Sequence, residues 1–276
     1  MPTRLRDYFR PADLSAAVQL LRGHPGGAVP LWLGPRPPVD VYQDQAAVVE
    51  LADLGLAQVT AEAGQLSLGA ALPLQTLVEH PAVQGVANGV LSEAARLSAH
   101  LGLRQAATLG GALLAQAGPP EIRLALLALD AVVLTLGAEP RATPLAAWEP
   151  AGGELPLAVT LGTGLRQGGA LERVARMPLD EAIVAAVAVL TAADGVCQAG
   201  RVAVASAGPH ALCWTAAELG LTGQPWTPAR GRAAADTVMT GAQPAGDYRG
   251  SADYRRAMAG VLAGRALAAA WRRAQA

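Results

Sequence analysis

Apolar positions recur at helical spacing near the start of the chain: Leu14, Ala17, Val18 and Leu21 fall at i, i+3, i+4 and i+7. Asp13 offers a cap, and Gly23 with Pro25 ends the pattern, so a first helix is expected over 12–22. Val29-Pro30-Leu31-Trp32-Leu33 and Val48-Val49-Glu50-Leu51 are apolar runs of strand length, which together suggest a small βα-type lobe ending near residue 57. Gln65-Leu66-Ser67-Leu68-Gly69 alternates like a half-buried strand. Residues 74–79 read as a helix stopped by Pro81, and a longer helix carrying Leu91, Ala94, Ala95 and Leu97 leads towards Gly110-Gly111. A helix over 119–128 and a buried strand from Ala131 to Leu136 follow.

From Ala138 to Gly169 the chain is rich in Gly and Pro and poorly periodic, which places a domain junction near the end of that stretch. Beyond it, Ile183 to Leu190 is an Ala/Val run that propensity alone allows as helix. Asp194-Gly195, followed by Arg201 to Ala207, points instead to an antiparallel hairpin. Helices are expected at 211–219, 229–240 and 251–274, with Pro228 at a first turn, Gly241 at a stop and Ser251 as the last N-cap. In the last helix, Tyr254, Met258, Val261 and Leu262 are the expected buried stripe.

A chain of 276 residues can build a large core and more than one domain. Its hydrophobic content of 52% comes mainly from Ala, Leu and Val, with a single Phe. No apolar run reaches the length of a membrane span and no charged-then-apolar leader opens the chain, so a cytoplasmic location is expected. Cys197 and Cys213 lie in no CxxC pair and read as small hydrophobes, and two thiols are too few to hold an iron–sulfur cluster. Acidic and basic residues nearly cancel and no basic run stands out, which argues against nucleic acid as a partner. Every cation other than histidine is Arg, so no lysine amine can serve in chemistry.

Familiar catalytic arrangements are missing. His24, His80, His100 and His210 are dispersed, without HxH or HExxH spacing, and no metal site is expected. There is no Gly-x-Ser-x-Gly elbow or Walker loop, and Ser98, Ser206 and Ser251 have no adjacent base. No residue is assigned a catalytic role. The segment Leu103-Arg104-Gln105-Ala106-Ala107-Thr108-Leu109-Gly110-Gly111 stands apart. It reads as an extended stretch closing on Thr108 and a glycine pair, ahead of an Ala/Leu run. Paired glycines let a phosphate approach bare main-chain N–H groups, and a helix opening there would add its positive end; a plain turn is the alternative.

This segment resembles the second flavin-binding loop, Ile-Arg-Asn-x-Ala-Thr-x-Gly-Gly-Asn, of the FAD-carrying medium subunit of molybdenum hydroxylases, the carbon monoxide dehydrogenase and xanthine dehydrogenase type. The register continues without a gap through Leu126-Leu127-Ala128-Leu129-Asp130-Ala131. Gly250-Ser251-Ala252-Asp253-Tyr254-Arg255 is similar to the family's Gly-Ser-Ala-x-Tyr-Arg signature, and Tyr8-Phe9-Arg10-Pro11 ahead of the first helix is similar too. The resemblance implies an α+β fold: a two-lobed PCMH-type FAD-binding domain plus a C-terminal domain of a small antiparallel sheet with helices. Its parts would be lobe 1 at 1–57, lobe 2 at 58–169 and the C-terminal domain at 170–276.

By the same resemblance, the first flavin loop, Ala-Gly-Gly-Thr-Asp-Leu in the family, falls on Leu33, Gly34, Pro35 and Arg36, followed by Pro37 and Pro38. Only Gly34 survives. Each proline removes an N–H, while Arg36 brings compensating charge or is an ordinary exposed loop arginine. The second loop keeps Thr108, Leu109, Gly110 and Gly111, but Ala112 replaces the family's Asn. Glu121 stands where the family carries an acid, usually Asp, that contacts the flavin's sugar-like chain; as a plain helix-start acid it would also suit the macrodipole. Leu171, Arg173 and Arg176 fall on a segment that relatives bring near the flavin ring, where Arg173 would keep a positive charge or be a solvated strand-edge residue. Arg104 reads as a structural or interface side chain.

The family's activity implies a division of labour. A large molybdenum-cofactor subunit oxidises substrate, electrons pass through the [2Fe-2S] clusters of a small subunit to FAD, and FAD hands them to an external acceptor. The molybdenum cofactor and the clusters would sit only in those partners, and this chain would be the electron outlet. Two rivals stay open: an FAD-free structural subunit of the same kind of complex, favoured by Pro35, Pro37, Pro38 and Ala112, and a free-standing flavin reductase or oxidase.

Overall fold

The computed structural model of the chain describes residues 6–24, 27–31, 46–115, 119–150, 153–164, 166–177, 180–206, 208 and 211–276. The chain opens with β1 (Asp7–Phe9), α1 (Leu14–Gly23), β2 (Ala28–Pro30), β3 (Ala47–Val49), β4 (Val59–Glu62) and β5 (Gln65–Gly69). A helical stretch follows: α2 (Leu74–Glu79), α3 (Pro81–Gln84), α4 (Val90–Ser98), α5 (Leu101–Ala106), α6 (Leu109–Leu114) and α7 (Glu121–Ala128). Then come β6 (Val132–Leu136), β7 (Pro140–Pro144), β8 (Leu155–Gly162), β9 (Gln167–Val174), β10 (Val184–Ala193), β11 (Val196–Ala205), β12 (Leu212–Thr215) and β13 (Gln224–Pro225). The helices α8 (Pro228–Gly241) and α9 (Ala252–Gln275) close the described order. Two compact units are built from interleaved segments: Met1–Thr76, Leu101–Gly118 and Ala131–Leu161 in one, Leu77–His100, Pro119–Asp130 and Gly162–Ala276 in the other.

In the first unit, β1, β3 and β2 form a small parallel sheet in that order, and β4-β5-β8-β6-β7 a five-stranded one. The expected first helix and its cap are present: Asp13 accepts from Ala16 N at 2.8 Å, and Ala17, Val18 and Leu21 point into a core with Val49, Leu51, Leu56, Ala70 and Leu155. The strand expected over 65–69 is also found. The irregular reading of 138–169 is corrected, since β7, β8 and the start of β9 occupy it. Proline disguised these strands. Pro140 and Pro144 bound an exposed edge strand, where a missing N–H costs nothing. Pro156 lies in a central strand but pairs with Thr135 where the register shifts, so the ladder is already interrupted there.

The expected extended segment before the glycines is also corrected. Leu101–Ala106 is helical, and Ala107 N closes its last turn on Leu103 O at 2.7 Å. Leu, Arg, Gln and Ala are good helix formers, and the chain becomes extended only at Thr108, with φ −110 and ψ 162.

The second unit is an antiparallel sheet in the order β12-β11-β10-β9, with β13 pairing β11. The hairpin expected at Asp194-Gly195 joins β10 to β11 through a two-residue loop with both φ positive, 51 and 76. Val184, Ala186, Ala188, Leu190 and Ala192 face a core shared with α8 and α9, while Ala185, Val187 and Val189 are buried on a strand that α7 also contacts. A strand covered on both faces reads as a continuous apolar run, which explains the ambiguity of 183–190 in the sequence. The helix α9 lies directly on β9: a Cβ at Gly168 would collide with Ala270 O and Ala274 N and stand 2.9 Å from Ala274 Cα.

One expectation for this unit fails and another holds only in part. The helix at 211–219 is instead β12 and a turn; Cys213, Trp214 and Thr215 suit a pleated surface, and β11 offers them an open edge. The expected buried stripe of α9 holds in part: Leu262 is buried and Met258 packs against the core, but Tyr254 and Val261 are 39% and 42% exposed. Its inner face is Arg255, Ala259, Leu262, Ala263, Ala266, Leu267, Ala270, Trp271 and Ala274. Small alanines bring the helix close to the sheet, which a search for large apolar side chains overlooks.

Candidate functional site

Leu33, Gly34, Pro35 and Arg36, the first-loop positions, lie outside the described residues. The second-loop residues belong to the first unit. Thr108 pairs with Pro73 as an isolated antiparallel bridge and N-caps α6, its Oγ1 accepting from Gly111 N at 3.1 Å. Leu109, Gly110 and Gly111 are buried. Their amides are engaged inside the protein: Leu109 N donates to Leu72 O at 2.9 Å, Gly110 N to Ala70 O at 2.7 Å, and Ala112 N to Thr108 O at 3.0 Å. The glycine pair is therefore not a row of unused donors.

Glu121 and Arg173 belong to the second unit, and the fold brings them together. Glu121 opens α7 and is 0% exposed; Arg173, on the sheet-edge strand β9, is 11% exposed, and its Nε stands 3.2 Å from Glu121 Oε1. Neither carboxylate oxygen accepts a well-directed hydrogen bond from the described residues. Burial pushes Glu121 above the usual carboxylate range, Arg173 opposes that, and Glu181 adds to it. The second nitrogen arm of Arg173 donates to Asp180 O, so this arginine is not the solvated strand-edge charge considered above.

A group of charges around this pair went unread in the sequence. Asp247 Oδ1 accepts from Arg249 N at 2.8 Å and Gly250 N at 3.2 Å and ion-pairs with Arg255 at 2.5 Å. Its carboxyl is held far below the usual range, chiefly by Arg255. Arg249 reaches Asp247 Oδ2 at 3.2 Å and Glu181 at 3.3 Å. Arg255, almost wholly buried, also donates to Ile183 O at 3.1 Å and Gly250 O at 3.3 Å. The available signal was an arginine inside a helix pattern at an inward-facing position. Leu171 is buried in β9, whereas Arg176 is exposed, bonds Tyr248 O at 3.1 Å and lies 5.6 Å from the Tyr248 ring centre. Arg104 donates to Gln75 Oε1 at 2.9 Å, a structural contact.

A buried carboxylate with unsatisfied oxygens fits a ligand that donates hydroxyl hydrogens, such as the polyhydroxylated chain of a flavin nucleotide. Among the described residues no helix is long and apolar enough to cross a membrane, and no cluster of His, Cys, Asp and Glu could hold a metal.

The comparisons agree along the chain. The curated carbon monoxide dehydrogenase medium chain of Hydrogenophaga pseudoflava is 30% identical over 286 aligned positions, spanning 97% of each chain. The structure of carbon monoxide dehydrogenase from the same organism, in a form lacking the Mo-pyranopterin moiety of the molybdenum cofactor, matches with a TM-score of 0.87 at 28% identity, covering 99% of both chains. A cyanide-inactivated Cu,Mo-CO dehydrogenase matches with a TM-score of 0.86 at 26% identity, over 99% of this chain and 100% of that one. Residues 3–150 match the FAD binding domain in molybdopterin dehydrogenase, and residues 170–270 the CO dehydrogenase flavoprotein C-terminal domain. The α+β fold is that of these flavoproteins, and the chain belongs to the FAD-binding medium subunits of carbon monoxide dehydrogenase-type molybdenum hydroxylases.

Proposed function

We propose that this chain is the electron outlet of a cytoplasmic, multi-subunit molybdenum hydroxylase. In this reading it takes electrons from the [2Fe-2S] clusters of a small subunit, after a large molybdenum-cofactor subunit has oxidised the substrate, and delivers them to an external acceptor. What carries the reading is end-to-end similarity to a carbon monoxide dehydrogenase medium chain, through both of its domains. FAD, when bound, supplies the redox chemistry, accepting and releasing electrons. The protein's part is to hold and insulate. Thr108, Leu109, Gly110, Gly111 and Ala112 offer a close approach to the diphosphate, with Leu33, Gly34, Pro35 and Arg36 as the first-loop counterpart. Glu121 accepts from the sugar-like chain, and Arg173 supplies positive charge. No side chain need act as general acid or base. The parts of the chain in this reading are lobes at 1–57 and 58–169 and a C-terminal domain at 170–276.

One observation favours a second reading, an FAD-free structural subunit: the amides of Leu109, Gly110, Gly111 and Ala112 are spent inside the protein, and Ala112 offers no side-chain amide in their place. The visible absorption of the purified protein and of its complex separates the two. A flavin band, with FAD released on denaturation, is the expected result. A colourless, folded preparation that stays empty in excess FAD overturns it in favour of the structural subunit.

A further inference from the structure

Residues 180–183, the turn that leads into β10, are held at three points by three arginines. Arg173 donates to Asp180 O, Arg249 ion-pairs with Glu181 at 3.3 Å, and Arg255 donates to Ile183 O at 3.1 Å. Asp247 ties the last two together, through Arg249 Nε at 3.2 Å and Arg255 Nη2 at 2.5 Å. The charges alternate in sign along Arg255, Asp247, Arg249 and Glu181, and the turn then passes the constraint to Arg173 and so to Glu121 Oε1. Asp247 and Arg255 bracket the head of α9, where Ser251 caps the helix by accepting from Tyr254 N. We infer that Arg249 is a positioning residue: acting through Glu181 and the Asp180 carbonyl, it sets how Arg173 faces the buried Glu121 carboxylate. The head of the last helix thereby governs the charge and aim of an acid on α7.

The chemistry gives this consequence. Among the described residues no donor of good geometry reaches the Glu121 carboxylate, so the nearby guanidinium is the main influence favouring its charged form, with its own backbone amide a smaller one, and Glu181 opposes that form. If the turn is released, Arg173 follows the Asp180 carbonyl away and Glu121 takes a proton more readily. A carboxyl that holds its own proton accepts less well from a ligand hydroxyl.

The significance for flavin rests on the proposed FAD role, but the central measurement does not. Isotope-edited infrared spectroscopy of the full chain without FAD, with Glu121→Gln to assign the band, follows the ionisation of Glu121 with pH. In Glu181→Gln, loss of a nearby negative charge by itself would move the Glu121 titration down, whereas release of the turn moves it up, by about one pH unit. An upward shift in Glu181→Gln and in Arg249→Met, with partial restoration in Arg249→Lys, is the expected pattern. A downward or absent shift in Glu181→Gln, in protein of parental near-ultraviolet circular dichroism, overturns the inference. FAD titration is the second readout. Parent protein that binds FAD should lose about tenfold in affinity in Arg249→Met, and equal affinity counts against positioning. Parent protein that takes no FAD ends the flavin reading and leaves the infrared result to decide this one.

Discussion

Substituting Gly168 by alanine tests how closely α9 lies on β9. The added methyl would meet main-chain atoms, Ala270 O, Ala274 N and Ala274 Cα, rather than the mobile end of a side chain. Nothing there can rotate away, so either β9 or the last turns of α9 must move. Overpacking of this kind costs about 3 kcal/mol. Replacing a strand glycine returns about 0.5–1 kcal/mol by restricting the unfolded chain, which leaves a net loss of about 2 kcal/mol. For a chain of this size that lowers the melting temperature by roughly 4–8 °C. Gly162, at the end of β8, is the internal comparison, because a Cβ built there meets nothing within 4 Å. Gly162→Ala should be neutral or slightly stabilising. Urea and thermal unfolding of the two variants beside the parent decide the matter. Gly168→Ala lying within about 0.5 kcal/mol of the parent would refute the argument, since the helix could not then be in backbone contact with the strand.

Other outcomes follow from the same contacts. Because burial raises the proton affinity of Glu121 in the folded chain, its contribution to stability is fullest below the ordinary carboxylate range and is lost as pH rises through the raised folded value. Glu121→Gln should abolish that decline, so its stability relative to the parent grows with pH between the two values; parallel denaturation profiles from roughly pH 4 to 8 would contradict this. Thr108→Val removes the acceptor for Gly111 N and should cost about 1 kcal/mol, with Thr108→Ser close to the parent in the same denaturant titrations.

How far the fold could be read from sequence depended on whether local chemistry and tertiary setting agreed. Asp194-Gly195 announces a hairpin because both residues tolerate positive φ. Ala63-Gly64 joins β4 to β5 with the same signs, φ 48 and 79, but alanine seldom adopts that conformation and gives no such signal. Pro81 reads as a stop and is also a start: it occupies the first turn of α3, capped by His80 Nδ1 accepting from Ala82 N at 3.2 Å. The strands around Pro156 were hidden because a proline in mid-strand is compatible with a sheet only at an irregularity, and irregularities are set by the partner strand.

The site was readable in a different sense. Likeness to a family picked out Glu121 and Arg173 one at a time, from separate stretches, and gave no ground for pairing them. Their pairing is a product of topology: α7 packs on β10 and β11, and β9 is hydrogen-bonded to β10, so the first residue of a helix meets a side chain two strands from β11. The surrounding arginines were harder still, because an arginine in sequence looks the same whether it is solvated or buried. Arg255 is 4% exposed and Arg256 beside it is exposed, yet only helical phase separates them. With the inner face of α9 drawn through Ala259, Leu262 and Ala266, Arg255 falls on it one turn earlier, and a charge placed there demands partners. Asp247 and the Ile183 carbonyl meet that demand. The residue type that the sequence offers as a solvated helix charge is thus, at this phase of the helix, a buried cation held by a carboxylate and two carbonyls.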